Sequence, residues 1–216
     1  MRKSVALICA GLLFLTVAAC LAGYNVWQDY RAGNRSGEAV AQLQEVIPAD
    51  PAPEHGRIVY QRSAVTGEEL TEYPDSIEYP DYVLDPDMNM PVKNVDGMDY
   101  VGTLTIPALE LELPVCSDWN YENLKSAPCR FTGTVYHKDM VICAHNYSRH
   151  FGKIASLRYG DSVEFTDTDG NVFSYTVTEI ETLQSTAVEE MTGSGHALTL
   201  FTCTLGGESR VTVRCD

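Results

Sequence analysis

Cys203 and Arg210, a thiol and a guanidinium seven positions apart, are the pair in this chain best suited to covalent chemistry. The apolar run Ala197 to Phe201 reads as a strand that ends on Cys203, and Arg210-Val211-Thr212-Val213-Arg214 reads as its return partner. Between them lies the turn-rich stretch Thr204-Leu205-Gly206-Gly207-Glu208-Ser209. Opposed residues of an antiparallel hairpin keep a constant index sum, so Cys203 faces Arg210 across a six-residue turn. A cation beside a thiol favours thiolate and can bind a developing oxyanion, two requirements of a sulfur nucleophile. Arg214 shares a strand face with Arg210, but the same register sets it opposite Thr199, about 13 Å along the strand from the sulfur. Arg210 is therefore the expected partner.

A nucleophilic Cys also needs a proton carrier, held near it by the fold. Of the five histidines, His145 alone closes a buried-strand pattern, Met140-Val141-Ile142-Cys143-Ala144, where rigid backbone can aim a ring. His55 lies in a Pro-rich stretch, His137 in a Tyr-His-Lys-Asp turn, His150 in a polar loop and His196 in a Gly-Ser loop. Metal chemistry lacks a ligand set: Cys129, His137, Cys143 and His145 contain no Cys-x-x-Cys pair, and Glu189 with Glu190 makes only two adjacent carboxylates. No metal and no cofactor are expected.

Thr199-Leu200-Phe201-Thr202-Cys203 resembles the TLxTC signature of sortases at every fixed position. Ala144-His145-Asn146 is similar to that family's strand-end His, and Arg210 stands where sortases carry an essential Arg. The likeness covers residues 98–216. It implies a membrane-anchored cysteine transpeptidase of a Gram-positive surface, with Cys203 as nucleophile, His145 as general acid and base, and Arg210 stabilising the oxyanion. Such enzymes cleave an LPxTG-like sorting signal through a thioacyl intermediate and pass the acyl group to an amine of the cell wall or a pilin. The resemblance further implies that the loop from Gln184 to His196 walls the substrate groove, with Thr186, Ala187 and Val188 as its apolar floor and Thr202 on the substrate side. Asn146 and Tyr147 are candidates for the cleft lining. A lid with an Asp-Pro-aromatic motif occurs in some pilus-building relatives; here Asp85-Pro86 is followed by Asp87. Two other readings remain open: a surface cysteine peptidase that releases its product to water, and a non-catalytic anchored β-barrel binding module.

The elements that must position these groups are mostly short strands. Val101 to Ile106, Glu110 to Val115, Met140 to His145, Asp161 to Thr166 and Asn171 to Glu179 carry strand patterns, the last two joined at the hairpin signal Asp167-Thr168-Asp169-Gly170. Asn120 to Ala127 suggests a helical turn, and Phe151 to Leu157 a short helix. Many strands with few helices predict a mainly β domain, a small closed barrel of about eight strands, over residues 98–216. That is also the fold the resemblance implies.

Ahead of it, Ser4 to Val26 is almost wholly apolar and preceded by Arg2 and Lys3. Twenty-three residues at about 1.5 Å rise span a hydrocarbon core of roughly 30 Å, so 1–27 reads as a transmembrane signal anchor. The cations before it predict a cytoplasmic N-terminus and a domain outside the cell membrane. Cleaved forms are the alternative, including a lipoprotein signal at Val17-Ala18-Ala19-Cys20. Residues 28–97 read as an acidic, Pro-rich linker with a short helix at Arg31 to Ile47 and an extended tether from Pro48 to Pro91. Ser36 to Gly97 holds 13 acidic and 3 basic residues and seven of the ten prolines. With a net charge of −15 and no basic patch, nucleic acid is excluded as a partner. Cys116, Cys129, Cys143 and Cys215 could form one or two disulfides or stay as small buried hydrophobes.

Overall fold

Period-two alternation decides which way each strand faces. In β7 (Met140–Ala144), Met140, Ile142 and Ala144 enter the main core, whereas Val141 and Cys143 join a second apolar cluster on the opposite face. Strand β10 (Leu198–Cys203) sends Leu198 and Leu200 inward and Phe201 outward, and β11 (Ser209–Cys215) sends Val213 and Cys215 inward. Leu104, Val115, Phe165 and Ile142 fill the interior between them.

The computed structural model describes residues 2–48, 55–58 and 77–216. After β3 (Lys93–Val95), eight strands close on themselves: β4 (Met98–Ile106), β5 (Leu111–Cys116), β6 (Cys129–Thr132), β7, β10, β11, β9 (Val172–Gln184) and β8 (Ser162–Asp167) are neighbours in that order, and β8 pairs back onto β4. The expected barrel of about eight strands is the observed one. Gly102 marks the closing seam. It sits at a register shift opposite Asp167, and a Cβ there would collide with the Thr166 carbonyl oxygen. The pairings β5–β6 and β7–β10 are parallel; the others in the ring are antiparallel.

The short helix expected at Phe151 to Leu157 is a run of turns with a 3-10 segment, Ile154–Ser156. Its apolar residues repeat at i, i+3 and i+6, which is the 3-10 period and not the α period of 3.6. Strand β9 runs on to Gln184, beyond the expected end at Glu179, because β11 supplies partners as far as Ser209. A short helix occurs where expected at α3 (Tyr121–Leu124), and the stretch from Gln184, expected as a loop, holds a second one, α4 (Val188–Thr192).

The helix expected at Arg31 to Ile47 is the last third of one 45-residue helix, α1 (Arg2–Val46), which runs unbroken from the apolar N-terminal segment. No proline interrupts it before Pro48, whose ring disfavours helical backbone at Ile47. Its first part is long and apolar enough to cross a membrane. In its second part, Ala32, Ser36, Ala39, Val40 and Leu43 form one buried stripe against the barrel. Of the tether expected over Pro48 to Pro91, residues 49–54 and 59–76 lie outside the described residues. Within the rest, β1 (His55–Ile58) pairs with β2 (Ile77–Pro80), followed by α2 (Asp81–Leu84). Tyr82 of α2 stacks on Tyr136 of the barrel at 4.9 Å between centroids.

Candidate active site

Two pairings bring the three reactive groups together. The parallel register of β7 and β10 sets Thr202 against Ala144, so the next residues of each strand, Cys203 and His145, leave the sheet side by side. The antiparallel register of β10 and β11 sets Cys203 against Arg210, as the index sum predicts, and Arg214 against Thr199. Adjacent strands lie about 4.8 Å apart, and paired positions share a face. His145, Cys203 and Arg210 therefore form one row on the outer face, the same face as Cys143 and Phe201. The structure brings together all three residues singled out from the sequence.

The row is held by polar contacts, one of them buried. Thr202 Oγ1 donates to the Ala144 carbonyl at 2.8 Å, fixing the end of β7 that carries His145. The neck of the β10–β11 hairpin is closed by Thr204, whose N–H donates to the Ser209 carbonyl at 3.0 Å. Gly206 and Gly207, with φ of 94° and 77°, supply the left-handed backbone that this turn needs. Arg210 Nη1 donates to the carbonyls of Gly207 and Ser209 at 3.1 and 3.2 Å. Its Nε–H and Nη2–H groups have no partner among the described residues, and the side chain lines the groove described below. Cys203 is half-buried, accessible to a ligand yet shielded from bulk water. Burial holds the His145 imidazole below its ordinary value, and the nearby Lys125 charge pushes the same way, so both favour the neutral ring.

An apolar groove of about 310 Å³ runs up to the row. Trp119, Tyr121, Phe131 and Phe201 form its aromatic side, with Phe131 edge-on to Phe201 at 5.5 Å and tilted against Trp119 at 5.4 Å. Val188 and Met191 of α4 form the other side. Of the three floor residues expected from the sequence, Val188 lines the groove. Thr186 is exposed and Ala187 caps α4; neither lines it, because the chain turns into a helix at Val188 and presents Ser185 and Met191 instead. Thr202 lies on the far side of Cys203, in a second depression with Asn146, Gly152, Ala155 and Leu205. The described residues of the segment around Asp85-Pro86-Asp87 line neither hollow.

Sequence reasoning missed most of this lining. Phe201 was within reach, since it alternates with Cys203 on the same strand. Trp119 and Phe131 were not, because only barrel closure carries β6 and the loop before it to this face. Arg214 turns out to be a buried brace: it donates to the carbonyls of Glu190 and Met191, to Ser194 and Thr199, and to Glu181 at 2.9 Å, fastening α4 to the barrel.

The chain is similar to known proteins over much of its length. Residues 104–216 match the family described as Sortase domain. The chain is 30% identical over 132 residues to a sortase A of Listeria monocytogenes, a match covering 55% of this chain and 57% of that protein. It is 26% identical over 210 residues to a sortase A of Bacillus anthracis, covering 94% and 88%. The crystal structure of sortase C1 from Streptococcus suis aligns with 54% of this chain and 71% of its own, at 25% identity and a TM-score of 0.47. This chain belongs to the sortase family.

Proposed function

We propose that this protein is a cysteine transpeptidase that cuts an LPxTG-like sorting signal and passes the acyl group to an amine on a cell-wall precursor or a pilin. The observation that carries this reading is the single row His145, Cys203, Arg210 at the head of an apolar groove. An extended peptide laid over Phe131, Phe201, Val188 and Met191 buries Leu- and Pro-type side chains and offers its next carbonyls to the sulfur. The Cys203 sulfur bonds to the carbonyl carbon while the thiol proton passes to neutral His145. Arg210 and nearby backbone N–H groups take up the charge on the tetrahedral oxygen. The C–N bond then breaks, His145 returns the proton to the departing amine, and a thioacyl Cys203 remains. An incoming amine gives a proton to His145 and attacks the thioester carbonyl, and the C–S bond breaks to restore the thiol. The second depression, on the other side of Cys203, gives that amine its own approach.

The apolar part of α1 holds the enzyme in the cell membrane, with Arg2 and Lys3 on the cytoplasmic side and the barrel outside. Incubating the full chain with an LPxTG peptide and triglycine tests the activity. Ligated product is expected. Free acid alone would make the protein a peptidase. No cleavage, with Cys203 alkylated no faster than a free peptide thiol, would make it a binding module.

A further inference from the structure

The loop that follows His145 is gripped from outside the barrel by α1. The Asp29 carboxylate accepts from the Ser148 hydroxyl and from the Arg149 N–H. The Arg149 guanidinium lies 5.0 Å from the Tyr30 ring centroid and donates to Asn34 Oδ1 at 3.2 Å. Gly33 makes room for this, since a Cβ there would collide with the Arg149 side chain. One turn further along, Ser36 is 1% exposed. Its hydroxyl donates to the Ser126 carbonyl at 2.8 Å, which leaves its lone pairs to accept from His150 Nε2 at 2.9 Å.

His150 is fully buried and tied to the reactive row. The Tyr147 ring neighbours both imidazoles, 5.0 Å from His145 and 5.5 Å from His150 by ring centroids. The N–H of Phe151 returns to the His145 carbonyl at 3.3 Å, and those of His150 and Gly152 return to the Tyr147 carbonyl at 3.0 and 2.8 Å. A displacement of His150 is thus passed to the backbone and to the ring neighbour of His145. A helix serving only as a tether has no use for this contact. A buried imidazole costs free energy where its nitrogens go unpaired, and Ser36 supplies the partner of His150 Nε2 while Nδ1 has none among the described residues.

We propose that α1 is a working part of the active site, with Ser36 and His150 as positioning residues that fix the 145–152 loop and so aim the His145 ring. This rests on His145 being the acid and base of the proposed reaction. The titratable and charged groups around His145 are Cys203 and Arg210 of the row, Lys125, His150 and, through ring contact, Tyr147; those around His150 are His145, Asp29 and Tyr147.

The test uses the full chain in detergent and compares Ser36→Ala with Ser36→Thr, which keeps the hydroxyl. Thermal unfolding, peptide kinetics and an NMR titration of the His145 ring are measured on each. Ser36→Ala is expected to lower kcat about tenfold with KM within about twofold, as misaimed proton transfer does, and to move the His145 titration midpoint. Ser36→Thr restores both. A folded Ser36→Ala with wild-type kcat and an unmoved midpoint overturns the proposal. If Ser36→Ala does not fold, Asp29→Asn at the membrane-side end of the grip decides: the midpoint moves, or the proposal fails. The NMR readout needs no turnover, so a wild-type protein that cleaves nothing defeats the transpeptidase reading while this question still receives its answer.

Discussion

Arg210 binds two backbone carbonyls through one guanidinium nitrogen, and its remaining N–H groups have no partner among the described residues. If it serves the oxyanion as proposed, its loss is felt in the chemistry more than in folding. Arg210→Ala is expected to slow thioacyl formation by about 10²–10³, the scale of losing one oxyanion donor, with the urea midpoint nearly unchanged. Arg210→Lys recovers only part of this, since a point charge cannot reproduce the planar fork. His145 is set by its surroundings in a way that kinetics can read. Burial and then Lys125 disfavour its charged form. Replacing Lys125 by Met removes one of these, so the ring protonates at higher pH. If neutral His145 accepts the thiol proton, the acid limb of the kcat/KM profile moves upward in Lys125→Met. A downward move would contradict that role.

At the scale of elements, α4 is a groove wall held by one buried cation. Arg214 is 2% exposed and bonds two carbonyls of that helix. Arg214→Ala strands these acceptors and the Glu181 carboxylate, and is expected to cost about 3 kcal/mol in urea unfolding. Because Met191 and Val188 shift with it, KM for the sorting peptide rises more than kcat falls, and thioacyl formation persists. Loss of thioacyl formation with unchanged KM would instead place Arg214 in the chemistry. The Cys203–Arg210 opposition was legible in the sequence because a hairpin is local, and its register follows from turn length. The His145–Cys203 neighbourhood was legible only as a strand-end His. Its actual cause, a parallel β7–β10 pair linking strands 58 residues apart, leaves no local pattern. The floor residues Thr186 and Ala187 were misplaced for a related reason: a five-residue helix inside a polar loop has too little periodicity to announce which side chains turn inward.

Across the whole molecule, the helix and the groove share one apolar cluster. Ala39 and Leu43 of α1 pack through Cys116, Cys129 and Cys143 to Phe201 and Met191 under the site. The continuity of α1 could not be read from hydropathy, which changes sharply after Val26 although the helix does not. The same docking makes stability depend on pH. Burial, and then the His145 charge, push the buried His150 down to about 4, against weaker opposing effects of the Ala32 carbonyl and Asp29. An unfolded His titrates near 6.5, so above that pH both states are neutral and nothing is lost. Below it the unfolded chain takes up a proton that the folded one refuses, and stability falls by about 1.4 kcal/mol per pH unit down to about 4. Urea midpoints between pH 7 and 5 should therefore drop more steeply in wild type than in His150→Gln. Parallel slopes would contradict a neutral buried His150.

The most direct test of the account is intact-mass analysis of the full chain incubated with an LPxTG peptide and no amine. It predicts a mass increase equal to the N-terminal acyl fragment, mapped to Cys203, absent in Cys203→Ala and discharged when triglycine is added. Cleaved peptide with no acyl group on Cys203, or an adduct on another thiol, would contradict it.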